Sequence, residues 1–296
     1  MLNKLVIFGV GLIGGSVALA LKKASLSTHI VGVGRSEKSL RAALDLGVID
    51  SAQTDIAEAV AGADLILIAT PVAQTANILR SIQPHLQAQT VITDAGSTKS
   101  DVLKVAGEIL GAQFGQFVGG HPIAGAEKSG VAAAKSDLFL GKNVVLTPVF
   151  SPTPEATNNE TNRHAVRRAS ELWEACGAKI SEMSAENHDS IFSAVSHLPH
   201  LLAFALVNEI ASRDNAVELF SFAASGFRDF TRIAGSSPEM WRDISLANKT
   251  ALLRDLTAFE QQISQLKQLL NEDNGDDLQA LFERASAARN NWAKNK

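Results

Sequence analysis

Cysteine is almost missing: Cys176 is the only one in 296 residues, which excludes an internal disulfide and a thiol-built metal cluster. Its setting, "ELWEACGAKI", suits the end of a core helix better than a nucleophile. Positive charge is not in excess either. The net charge of −4 and pI near 6.0 argue against nucleic acid or an anionic membrane as the main partner. No apolar run approaches the roughly 18 residues of a membrane span, and the longest segments, such as "ADLILIATPVA", are strand-sized. The N-terminus runs directly into "KLVIFGVG", without the charged, apolar and cleavage regions of a secretory signal. These absences lead us to expect a soluble cytoplasmic protein.

What is present changes once along the chain. Through residue 150, β-branched runs ("KLVIFG", "HIVGVG", "ADLILIAT", "TVITDAG", "FVGG", "NVVLTP") alternate with alanine-rich helical patterns. That alternation predicts βαβ units and a parallel sheet covered on both faces, a Rossmann-like α/β domain over 1–150. The polar stretch "SPTPEATNNETN", 151–162, reads as a linker or exposed loop. Residues 163–296 read as almost wholly helical, with Leu252, Leu253, Leu256, Phe259 and Ile263 at amphipathic spacing. The length suffices for two domains with separate cores.

"FGVGLIGGS" follows the first strand and opens a helix, with Gly9, Gly11 and Gly14 in Gly-x-Gly-x-x-Gly spacing. Such glycines allow a tight turn, a close approach to a pyrophosphate and close helix–strand packing. Leu12 and Ile13 lie at the helix N-terminus that faces the phosphates. An acidic residue for the adenosine ribose is expected about 20 residues further on. "VGVGRSEKSL" instead offers Gly34, Arg35 and Ser36. Arg35 can pair with a 2′-phosphate and Ser36 can hydrogen-bond it, which favours NADP over NAD. The alternative is a solvated Arg35 with Glu37 turned inward to hold the ribose.

Three further stretches carry chemistry. "TDAGSTKSDV" places Ser97 and Lys99 after a strand, at the carboxyl edge where open α/β sheets bind ligands. "GGHPIAGAEKSG" sets His121 behind two glycines and before a proline, which predicts a shaped loop; a plain turn is the competing reading. "HDSIFSAVSHLPHLLAFAL" looks helical, and at about 100° per residue Asp189, Ser193, Ser196 and His200 share a narrow arc with His197 beside it. "SGFRDFTRIAGSSPEMW" adds Arg228, Asp229, Arg232 and Trp241.

In this order, "GVGLIGGS", "TDAGSTKSDV", "GGHPIAGAEKSG", "SHLPH" and "GFRDFTRIA" with "MW" resemble the prephenate/arogenate (cyclohexadienyl) dehydrogenase family across nearly the whole chain. The resemblance implies a Rossmann-like domain, an all-helical C-terminal domain that forms a homodimer, and an active site between them. It also implies the minimal catalytic form, with no mutase domain before the glycine motif and no regulatory domain after the last helix. The reaction is oxidative decarboxylation of a cyclohexadienol toward tyrosine or its keto-acid precursor. By resemblance, His121 is the general base for the C4 hydroxyl and Ser97 hydrogen-bonds that hydroxyl and helps fix His121. Arg232 holds the ring carboxylate, His200 contacts substrate or orders water, and Trp241 walls the pocket. Asp189, His197 and Asp229 orient these groups. His29, His85, His164 and His188 match no catalytic position and read as surface or structural, and no metal is expected. Glu127 would attract the ammonium of arogenate; its alternative is a helix-start residue paired with Lys128. Two other functions stay open: a β-hydroxyacid or imine reductase of the same plan, and a non-enzymatic NADP-binding sensor. The polar stripe from Asp189 to His200 opposes the sensor, because a plain dimer face would not bury such groups.

Overall fold

The structure is a computed structural model that describes residues 2–26, 28–125, 128–149 and 158–294. It comprises two compact units, Met1–Asn248 and Lys249–Lys296.

In the first unit, β1 (Lys4–Phe8), α1 (Leu12–Lys23), β2 (His29–Val33), α2 (Glu37–Asp45), β3 (Ser51–Gln53) and α3 (Ile56–Val60) are followed by β4 (Leu65–Ile68), α4 (Thr75–Ile82), β5 (Val91–Asp94), α5 (Ser100–Leu110) and β6 (Phe117–Pro122). Then come β7 (Asn143–Thr147), α6 (Asn158–Ala175) and β8 (Lys179–Glu182). The eight strands form one sheet in the order β3-β2-β1-β4-β5-β6-β7-β8. The central strands are apolar at every position because both faces are covered. Leu5, Ile7, Leu65 and Leu67 enter one core with α1 and α6, while Val6, Phe8, Ile66 and Ile68 enter the other with α3, α4 and α5. This is the period-two alternation of a strand buried on both sides.

Three expectations are corrected here. The sheet is not wholly parallel, since β7 runs antiparallel to β6, with His121 opposite Val145 and Pro122 opposite Val144. The short β3 and β8 escaped notice, having three and four residues with no fully buried position. The boundary placed at 151–162 does not divide the two folds. Residues 150–157 lie outside the described residues, but α6 begins at Asn158 and inserts Ala165, Ala169, Leu172 and Trp173 into the sheet core, and β8 pairs with β7. Asn162 anchors this helix, donating to the carbonyls of Gly115 and Phe117 and accepting from the N–H of Val149. Cys176 follows α6 in the same core, and burial pushes its thiol up to about 12, consistent with an inert position.

The helical part therefore begins at α7 (Ala185–Phe192). A π-helical turn, Ser193–His197, joins it to α8 (Leu198–Ala211), followed by α9 (Ala216–Ser221), α10 (Ser225–Thr231) and α11 (Pro238–Ala247). The run Ala185–Ala211, 27 residues, has the length and apolar character of a membrane span, longer than the strand-sized runs expected. Its polarity is inverted: Asp189, Ser193 and His197 are buried, whereas Ile191 and Val195 are 46% and 67% exposed. The second unit is a pair of helices in mutual contact, α12 (Lys249–Asn271) and α13 (Gly275–Lys294).

Candidate active site

The strand order reverses at β1, which lies between β2 and β4, and a cleft of about 710 Å³ opens at the carboxyl ends of β1 and β4. Such a switch point is where an open α/β sheet binds its ligand. Gly9 adopts φ +92° and donates to the Val33 carbonyl at 3.0 Å, and a Cβ there would come within 2.7 Å of the Ala69 oxygen. A Cβ on Gly14 would collide with the Gly9 carbonyl. Among the described residues no side chain caps α1, whose N-cap is Gly11 with open space around it. The first-turn N–H groups, those of Leu12 and Ile13 among them, remain for an anion, as a dinucleotide pyrophosphate requires.

Gly34, Arg35 and Ser36 line the same cleft, and the Arg35 side chain is exposed. Ser36 has a second duty, because its Oγ caps α2 by accepting from the Ser39 N–H at 3.2 Å. Ser39 also lines the cleft and was not anticipated. Glu37 borders a separate shallow groove with Lys38 and Arg41, so the inward-turned Glu37 is not found.

His121 sits on β6 rather than on a loop, because β7 pairs with the strand through Pro122. The glycines before it serve close approach and not an unusual φ. A Cβ on Gly120 would lie 2.6 Å from the Asp94 carbonyl oxygen, and one on Gly119 would collide with Thr147 Oγ1. His121 Nδ1 lies 2.7 Å from His188 Nε2, and His188 Nδ1 lies 2.9 Å from Asp189 Oδ1. Phe192 meets the His121 ring edge-on at 4.8 Å. Asp189 also accepts from the backbone N–H groups of Lys99 (2.9 Å) and Ser100 (2.8 Å), which clips α7 to the loop after β5. Beneath that loop the buried Lys99 ammonium pairs with Asp94, whose carboxylate also accepts from Gly96 and Gly120.

Charge and burial act together here. Burial, then electrostatic coupling to His188, Lys99 and His197, holds His121 well below the ordinary imidazole range. His188 is lowered by burial and by Lys99, against its bond to Asp189. Burial opposes ionisation of Asp189, but its bonds from His188, Ser100 and Lys99 outweigh that and keep the carboxyl below its usual range. Burial lowers His197 to about 4.

Asn248 links this cluster to a second one. Its amide nitrogen donates to the Asp189 carbonyl at 2.8 Å and lies 3.1 Å from His197 Nδ1. His197 meets Trp241 edge-on, and His200 stacks on Trp241 at 3.7 Å. His200 is lowered by burial and by the charge of nearby Arg232, while its bond to the Ser196 carbonyl works the other way. Trp241 Nε1 is buried with no hydrogen-bond partner among the described residues.

The structure therefore brings together His121, Asp189, His197, His200, Trp241 and Arg232. Ser97 is half-buried, with its backbone facing His197, but among the described residues its side chain makes no bond to His121; His188 holds that ring instead. Asp229 is exposed and tied to none of these groups among the described residues. Glu127 lies outside the described residues. His188 is corrected from a surface or merely structural residue to the direct neighbour of His121. Placing Asp189 on the buried stripe could have revealed it, since an adjacent histidine in "NHDS" shares that side of the helix. Asp94 and Asn248 carried no comparable signal.

A dinucleotide cleft at the switch point, on the sheet whose β6 holds His121 against the imidazole of His188, defines a nicotinamide-dependent dehydrogenase. Two family models match the chain: the nucleotide-binding domain of prephenate dehydrogenase over residues 17–182 and its dimerization domain over 184–284. The chain belongs to the prephenate dehydrogenase family. It is 40% identical to a prephenate dehydrogenase of Bacillus subtilis over 98% of this chain and 76% of that protein. The crystal structure of prephenate dehydrogenase from Aquifex aeolicus with hydroxyphenyl propionate and NAD+ is 36% identical, with TM-score 0.88 and 98% of each chain covered. Synechocystis arogenate dehydrogenase is 28% identical, with TM-score 0.79 over 98% of this chain and 99% of that one. The β-hydroxyacid reductase and sensor readings are set aside by this membership.

Proposed function

We propose that the protein oxidatively decarboxylates arogenate, prephenate or both, with NADP as the hydride acceptor. The observation that carries this reading is His121, a half-buried imidazole held well below its ordinary range, at the carboxyl end of β6 and next to the loop that presents Ser97. Bound NADP supplies the acceptor for the hydride that leaves ring carbon C4. His121 takes the proton of the C4 hydroxyl, help worth roughly 10²–10⁴ in rate, and Ser97 hydrogen-bonds the same oxygen. Arg232 holds the ring carboxylate, which departs as carbon dioxide when the ring becomes aromatic. Its planar fork suits bidentate binding. Trp241 Nε1, a buried donor wanting an acceptor, would face substrate beside His200.

Arg35 and the bare Gly34 in the dinucleotide cleft support NADP, although the Aquifex aeolicus enzyme was crystallised with NAD+. Glu127 favours arogenate through its ammonium group. The exposed apolar side of the α7–α8 run, with Ile191 and Val195, supports a homodimer, as does the dimerization-domain match. We place the enzyme in the cytoplasm. The test is formation of reduced nicotinamide, followed by absorbance, with prephenate and arogenate crossed against NAD and NADP. Turnover of neither substrate would overturn the reading, and equal rates with the two cofactors would remove the NADP assignment.

A further inference from the structure

We propose that the Asp189–His188 pair fixes the tautomer of His121, keeping its proton on Nδ1 so that Nε2 always offers a lone pair to the substrate hydroxyl. The proposal rests on the reading of His121 as the base. Its logic runs outward from Asp189, whose oxygens accept from Lys99 N and Ser100 N as well as from His188. An ionised carboxylate can only accept, so His188 Nδ1 carries hydrogen. His188 is 0% exposed, and Lys99, Asp94 and Asp189 are the charged groups around it. Asp189 favours a cation at His188, but burial and the neighbouring Lys99 ammonium outweigh that bond and hold the imidazole below its ordinary range. His188 is therefore neutral and its Nε2 is bare.

That bare nitrogen lies 2.7 Å from His121 Nδ1, a separation that requires a proton between them. His121 must supply it. The groups facing His121 are His188, Lys99, His197 and the edge of Phe192, and none of them supplies a competing acceptor at Nδ1. The hydrogen bond made by one ring nitrogen decides the state of the other, and a histidine left to itself in water favours the opposite tautomer. His188 and Asp189 are thus positioning residues. When Nε2 takes the hydroxyl proton, the new imidazolium keeps its Nδ1–H bond to His188, and no proton need travel along the chain.

The test is ¹⁵N NMR of the full-length protein labelled at histidine, with the His121 signals identified by their loss in His121→Asn. Two-bond couplings tell Nδ1 from Nε2. In the parent at pH 8, Nδ1 should be protonated and Nε2 bare; a protonated Nε2 overturns the proposal. In His188→Phe the His121 proton should move toward Nε2, and kcat should fall roughly 10²-fold with KM within a few-fold. His188→Gln, whose amide can donate to Asp189 and accept from His121, should recover about tenfold of that loss. An unchanged tautomer in His188→Phe also overturns the proposal. If that variant does not fold, the parent spectrum decides alone. Inactivity of the parent on both substrates would instead overturn the functional reading and leave the tautomer result standing.

Discussion

The backbone N–H of Gly120 donates to Asp94 Oδ1 at 3.0 Å, bracing β6 against the end of β5 one residue before His121. The other oxygen of that carboxylate accepts from Gly96 and from the buried Lys99 ammonium. One side chain thus holds the strand of the base, the loop of Ser97 and a buried cation in register.

Gly120→Ala puts a methyl group 2.6 Å from the Asp94 carbonyl oxygen, so the backbone of β5 or β6 must shift. Overpacking of this kind costs about 1–3 kcal/mol, and the shift should carry His121 with it. We expect a lower urea midpoint together with a lower kcat. Unchanged values of both would show that the strands separate without strain.

His121→Asn keeps a polar side chain on β6 but removes the proton acceptor. Folding and dinucleotide affinity should persist while turnover falls by at least about 10². Stopped-flow measurement of hydride transfer checks this, and a rate within a few-fold of the parent would remove His121 from the role of base.

Replacing Gly34 with Asp and Arg35 with Ala should reverse cofactor preference. The parent should favour NADP by about 10- to 150-fold, equivalent to one charge-assisted bond of roughly 1.5–3 kcal/mol. Titration of protein fluorescence with each dinucleotide at two salt concentrations tests this. NADP should weaken more than NAD in added salt, and equal parent affinities that ignore the double change would mean that Arg35 points to solvent.

His197 makes stability depend on acid. Its folded value, about 4, lies below the ordinary imidazole value near 6.5, so the unfolded chain takes up the proton first as pH falls. The contribution is complete above about pH 6.5 and is lost progressively toward pH 4, up to about 3 kcal/mol. His121, His188 and His200 shift in the same direction. Urea unfolding at pH 7.5 and pH 4.5 should show a smaller acid loss in His197→Gln than in the parent. Equal losses would mean that His197 is not neutral and buried in the folded protein.

How much of this was legible depended on whether the signal was local. The glycine turn, the apolar strands and the inward placement of Asp189 follow from periods and spacings that neighbouring residues share. His121 was legible as a site residue but not as a strand residue, because strand pairing through Pro122 depends on β7, more than twenty residues away. β8 was invisible, since "KISE" has no buried run and exists only because Val144 to Leu146 offer it an edge. His188 was missed for a different reason: its role comes from a contact across 67 residues, and its own helix marks it only by adjacency to Asp189.

The π-helical turn at Ser193–His197 works as a phase shifter in a single rod. A wider turn delays the rotation of everything after it, so α7 buries His188 and Asp189 while α8 starts its own inward face at a different angle, with Ala203 at its centre. An uninterrupted helix through the same residues would carry a single continuous stripe. The extra residue lets both segments reach the site, His188 and Asp189 from the first and His200, stacked on Trp241, from the second.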